Sequence, residues 1–90
     1  PNSPLAVRVI YFDYDSANIR ADFNDPVAAH AAYLAQNAST IVTLEGHADE
    51  RGSREYNLAL GENRAMAVRK QLVLLGAAAG QIKIVSYGEE

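Results

Sequence analysis

GHADERGSREYNLALGENRAMAVRKQLVLLG, residues 46–76, is the stretch on which the fold turns. Within it Leu58, Gly61, Ala65, Val68, Leu72 and Leu75 recur in alternating steps of three and four, which draws one apolar stripe along a helix. Gly76 stands where a helix C-cap belongs. Gly61 sits on the stripe at a propensity cost of about 1 kcal/mol relative to alanine, and its missing side chain lets the helix approach a neighbouring sheet closely. The opening third reads differently. A histidine, several acids, two arginines and two glycines crowd into residues 46–57, between an apolar run and the helix.

On the N-terminal side, Ile41–Glu45 is β-branched and runs into Gly46 as a strand, after the small polar residues 37–40. Before it, Asp25-Pro26 supplies an N-cap acid and a proline at the first helical position, and Val27, Ala31 and Leu34 follow at helical spacing, predicting a first helix to about Gln36. Asp15, Ser16, Ala17 and Asn18 form polar turn material. Leu5–Tyr14, LAVRVIYFDY, is rich in Val, Ile, Tyr and Phe without internal Gly or Pro and predicts a strand. On the C-terminal side, Gln81–Tyr87 predicts a third strand and Gly88 begins another turn. The order is β-α-β-α-β, an α/β domain built as a two-layer sandwich. Residues 1–5 read as a linker and residues 6–90 as the domain.

Bulk properties narrow the possibilities. Ninety residues make one domain with a modest core, burying about 60 to 65% of the surface its unfolded chain exposes. Hydrophobic residues at 49% and charged residues at 21% are those of a folded domain. A net charge of −3 and a pI near 5.3 argue against a phosphate-backbone binder, whose affinity comes from displacing counterions with Lys and Arg. With no cysteine there is no disulfide and no thiolate zinc site. No apolar run approaches the roughly 18 to 20 residues of a membrane-spanning helix.

The crowded loop admits three chemistries. His47, Asp49 and Glu50 are possible metal ligands, but a zinc site usually needs three protein ligands with an ordered second shell, and the other histidine, His30, lies mid-helix. Asp49 or Glu50 as a general base would define a small metal-dependent hydrolase, yet no nucleophile or oxyanion motif accompanies them. The binding reading places Asp49 just beyond the end of a strand, where α/β sheets tend to hold ligands. Asn57 and Arg64, seven positions apart, share a helix stripe with Leu60 between them. A carboxylate facing a guanidinium suits a free amino-acid head group, with Asp49 for its ammonium and Arg64 for its carboxylate. Amides at the helix start favour the carboxylate further. Ordinary surface pairing of Asp49 with Arg51 or Arg54 remains the plain alternative. Tyr11, Phe12, Tyr14 and Tyr87 read as sheet packing, and Glu45 and Glu62 as solvated.

VIYFDYDSANIR at 9–20, EGHADERGSREYNLALGENRAMAV at 45–68 and IVSYGEE at 84–90, in that order and spacing, resemble the outer-membrane protein A C-terminal-like family, and within it the lipoprotein branch. The resemblance implies helices on one face of a mixed sheet, with a final helix and strand of the family lying beyond residue 90. It implies a non-enzymatic domain without a cofactor that grips peptidoglycan noncovalently at the diaminopimelate of the stem peptide. Asp49 and Arg64 fall on the family's binding aspartate and arginine; Asn57, Phe12 and Asp13 fall on residues that line or brace the pocket; Leu58 is placed to meet the ligand's methylenes. The same resemblance implies a tether on the periplasmic face of the outer membrane, lipid-anchored through an N-terminal segment, with a TolB-like propeller protein of the Tol system as partner. A porin or flagellar stator carrying the same wall-binding domain is the alternative within the fold.

Overall fold

The computed structural model describes residues 4–49 and 51–88. Helix α1 spans Asn24–Gln36, strand β1 Val42–His47, helix α2 Arg54–Leu74 and strand β2 Ile82–Gly88, with single 3-10 turns at Pro4–Ala6, Ala21–Phe23 and Ala79–Gln81. Strands β1 and β2 pair in parallel from Val42 opposite Ile82 to Gly46 opposite Ser86, and the register slips between Gly46 and His47. A parallel pair needs a crossover, and α2 supplies it.

Helix α2 starts because Ser53 caps it: the Ser53 hydroxyl accepts from the Tyr56 amide at 3.0 Å. Asn57 is therefore a turn inside the helix rather than at its opening. The helix ends in a Schellman arrangement, with Gly76 N–H donating to the Val73 carbonyl, Ala77 N–H to the Leu72 carbonyl, and Gly76 at φ 120°. Its buried face runs through Asn57, Leu60, Gly61, Arg64, Ala65, Val68 and Leu72. The apolar stripe read from sequence is thus right in its middle and drifts at its ends, where Leu58 is half-buried and Leu75 exposed. Two polar side chains, Asn57 and Arg64, occupy the buried face instead. Helix α1 begins one residue before the expected acid: Phe23 holds the N-cap position and Asp25 lies in the first turn, where its charge complements the helix dipole.

The core joins Val27, Ala31 and Leu34 of α1 to Val68 and Leu72 of α2, Ala77 and Ile82, with Ile10, Phe12, Ile19, Val42 and Leu44 packed against it. Helix α2 lies on β1 backbone against backbone. A Cβ built on Gly61 would stand 2.9 Å from the Gly46 carbonyl oxygen and 2.7 Å from Ser86 Oγ. The close approach expected of Gly61 is realised, and Gly46 is its partner.

The predicted first strand is corrected. Residues 7–13 belong to no ladder, and among the described residues the sheet has two parallel strands rather than the mixed arrangement expected. The side chains still alternate: Ile10 and Phe12 turn to the core, Val9 and Tyr11 to solvent. High β-propensity sets an extended backbone that fits a half-buried surface, whereas a ladder requires a second backbone about 4.8 Å away. Here residues 8–12 and 43–47 line a common cavity of about 670 Å³ instead. The segment is clipped to helices. His30 Nε2 of α1 lies 2.8 Å from the Val7 carbonyl, and Arg64 of α2 holds the other end.

Candidate functional site

Arg64 is the centre of the site. It is 8% exposed, and its guanidinium donates from Nε to the Ser16 carbonyl at 2.7 Å, from Nη1 to the His47 carbonyl at 3.1 Å and from Nη2 to the Asp13 carbonyl at 3.1 Å. Its Cζ lies 5.2 Å from the centroid of the Phe12 ring, within cation–π range. Three chain segments therefore converge on one side chain: the end of the N-terminal extended segment, the end of β1 and the middle of α2. Burial of a cation is tolerable when such hydrogen bonds surround it, and they fix the plane of the fork.

Asp49 is exposed, two residues past the end of β1, and lines the 670 Å³ cavity together with Phe12 and Arg64. The acid and the guanidinium that the sequence reading set against each other thus line one cavity, together with the Phe12 ring. Asp13 braces the site through its carbonyl, which accepts from Arg64 and from the Ser16 amide, while its carboxylate lies 3.7 Å from Arg20 Nη1. Asn57 is fully buried on the same face of α2 as Arg64. Leu58 is half-buried, and its carbonyl accepts from Ser86 Oγ at 2.7 Å. Neither Asn57 nor Leu58 lines the cavity.

Other residues near the loop take partners of their own. The His47 ring stacks on Tyr87 at 5.3 Å between centroids and lies 3.6 Å from the Glu45 carboxylate, so Glu45 is a neighbour of His47 rather than merely solvated. Tyr11 and Tyr14 are mostly exposed, contrary to a packing role, and Phe12 alone of the N-terminal aromatics enters the core. Among the described residues no three His, Asp or Glu side chains gather as a metal set; Glu50, named as a possible ligand and base, lies outside the described residues.

Sequence reasoning missed three features. The carbonyls of Asp13, Ser16 and His47 act as Arg64 acceptors, which no side-chain pattern signals. Tyr56 donates its hydroxyl proton to Asp15 across 41 residues of sequence. Gln81, 5% exposed, donates from Nε2 to the carbonyls of Leu34, Asn37 and Thr40 and accepts the Ala78 amide, which staples the α1–β1 connection to the start of β2.

The parallel pair, its α2 crossover and a buried arginine facing an acid past β1 agree with one family. Residues 11–90 match the OmpA family, and the chain belongs to it. Among curated relatives it is 52% identical over 81 residues to the peptidoglycan-associated lipoprotein of Mesorhizobium japonicum, covering 90% of this chain and 48% of that protein. It is 48% identical over 85 residues to the protein of the same name from Pseudomonas putida, covering 94% of this chain and 51% of that one. The crystal structure of the peptidoglycan-associated lipoprotein from Burkholderia pseudomallei superposes with a TM-score of 0.94 at 46% identity, covering 99% of this chain and 75% of that chain. The chain spans about half the length of the curated relatives it matches.

Proposed function

We propose that this domain binds peptidoglycan noncovalently, through the diaminopimelate residue of the stem peptide, and so ties the outer membrane to the cell wall. The observation that carries the reading is the meeting of Asp49 and Arg64 on one cavity, beside Phe12. Diaminopimelate ends in a free ammonium and carboxylate on one carbon. An exposed acid suits the ammonium, and a planar guanidinium already held in orientation suits the carboxylate at little further ordering cost. The Phe12 ring offers an apolar wall to the methylenes between the ligand's two ends. The Asp13 carbonyl fixes the Arg64 fork, while Asn57, on the same buried face of α2, and Leu58 stay outside the cavity wall. The relatives' shared name, peptidoglycan-associated lipoprotein, supports the same ligand.

On this reading the protein works by holding rather than by catalysis, needs no cofactor and resides at the periplasmic face of the outer membrane through a lipid anchor. A TolB-like propeller protein is the second partner. Co-sedimentation with purified diaminopimelate-containing sacculi tests the wall-binding claim. Wild-type protein is expected in the pellet, and Asp49→Ala, a change at an exposed position, is expected to remain in the supernatant while folded. Equal pelleting of the two would refute the assignment of Asp49.

A further inference from the structure

We propose that Tyr56 is a positioning residue for the diaminopimelate site, acting through the Asp13–Ser16 turn and Arg64 without touching the ligand; this rests on the wall-binding reading above. Arg64 is oriented by carbonyls that belong to this turn, those of Asp13 and Ser16. The turn closes with the Ser16 amide donating to the Asp13 carbonyl at 3.1 Å, and it places Asp15 at φ 54°, a left-handed conformation uncommon outside glycine that aspartate tolerates better than most residues.

The Tyr56 hydroxyl helps to hold it by donating to the Asp15 carboxylate. Tyr56 and Arg64 are two steps of four apart on α2, so one helix grips the turn at both points. Gly52, at φ 136°, lies against the Tyr56 ring, with a built Cβ only 3.6 Å from its Cδ2. Tyr56 thus touches both the Asp13–Ser16 turn, through Asp15, and the residues leading into α2, through Gly52. Loss of its hydroxyl removes one of the contacts that hold Asp15, and so loosens the carbonyls that fix the guanidinium plane.

The test uses the whole domain as wild type, Tyr56→Phe, Asp15→Ala and the double variant. Each is titrated with a soluble wall peptide containing diaminopimelate and with its lysine counterpart. Amide exchange of Ser16 and Asn18 is followed without ligand; the Asn18 amide donates to Ser16 Oγ at 3.1 Å and reports the same turn. Each single variant is expected to bind the diaminopimelate peptide about threefold to tenfold more weakly, and the double variant no more weakly than the poorer single. Discrimination against the lysine peptide should shrink in step, because the effect passes through Arg64, whereas a general loss of stability would leave that ratio unchanged. Ser16 exchange should quicken in Tyr56→Phe. Wild-type affinity and selectivity in a folded Tyr56→Phe protein would overturn the proposal. Failure of the wild type to bind would refute the wall-peptide reading itself, and unchanged Ser16 exchange in Tyr56→Phe would then refute the latch as well.

Discussion

Gly61→Ala separates local propensity from packing by the sign of its effect. In an exposed helix interior this change stabilises by about 1 kcal/mol. Here the new methyl would stand 2.9 Å from the Gly46 carbonyl oxygen and 2.7 Å from Ser86 Oγ, where ordinary contact begins at 3.4 Å. Relief requires α2 to retreat from the sheet by roughly half an ångström. The Gly46 oxygen is backbone and cannot rotate away. Overpacking of this kind costs about 1 to 3 kcal/mol, and backbone obstruction puts the change at the upper end. Subtracting the propensity gain leaves a net loss of about 2 kcal/mol, or about 10 °C in melting temperature for a domain of this size. Urea unfolding of the two proteins at equal m-value measures it. A Gly61→Ala protein more stable than wild type would show that α2 does not rest on β1 as described. Gly46→Ala, whose methyl would overlap the Gly61 carbonyl much more deeply, should cost more than Gly61→Ala.

Arg64→Ala leaves the carbonyls of Asp13, Ser16 and His47 without this donor and should cost about 3 kcal/mol of stability by denaturation, besides abolishing wall-peptide binding. Arg64→Lys should recover little of either, since an ammonium cannot reach the carbonyls as a planar fork; full recovery would argue that charge alone matters. Asp49→Asn, at an exposed position, should unfold within about 0.5 kcal/mol of wild type while losing at least about tenfold in affinity for a diaminopimelate peptide. Gln81→Ala should destabilise by about 2 kcal/mol through the unpaired carbonyls of the α1–β1 connection, with affinity unchanged once the protein is folded.

Helix α2 was legible because its signal is local and periodic: residues three and four apart share a face whatever surrounds them. Gly61 on the apolar stripe foretold a close helix–sheet contact for the same reason, and Gly76 marked the C-terminus through its own backbone freedom. The N-terminal segment was not legible as observed. Tyr11 and Phe12 both read as sheet packing, yet only Phe12 turns inward, and strand pairing depends on a neighbouring backbone that composition does not specify.

The site divides along the same line. Asp49 after a strand and Arg64 on a helix stripe follow from spacing, and the family resemblance linked them. What orients Arg64 lies 48, 17 and 51 residues away at Ser16, His47 and Asp13, and consists of carbonyls that every residue possesses. Gln81 was hidden likewise, for a glutamine heading an apolar strand reads as a surface residue until the carbonyls of Leu34, Asn37 and Thr40 surround it.

Isothermal titration of the domain with a soluble wall peptide containing diaminopimelate, beside the same peptide carrying lysine in that place, tests the pairing of Asp49 and Arg64 with an amino-acid head group most directly. Lysine keeps the ammonium and lacks the side-chain carboxylate, so the difference isolates the contact assigned to Arg64. The account predicts binding of the diaminopimelate peptide and a loss of at least about tenfold with lysine, the scale of one charge-assisted bidentate contact. Equal affinity for the two peptides, or binding of neither by the folded domain, would contradict it.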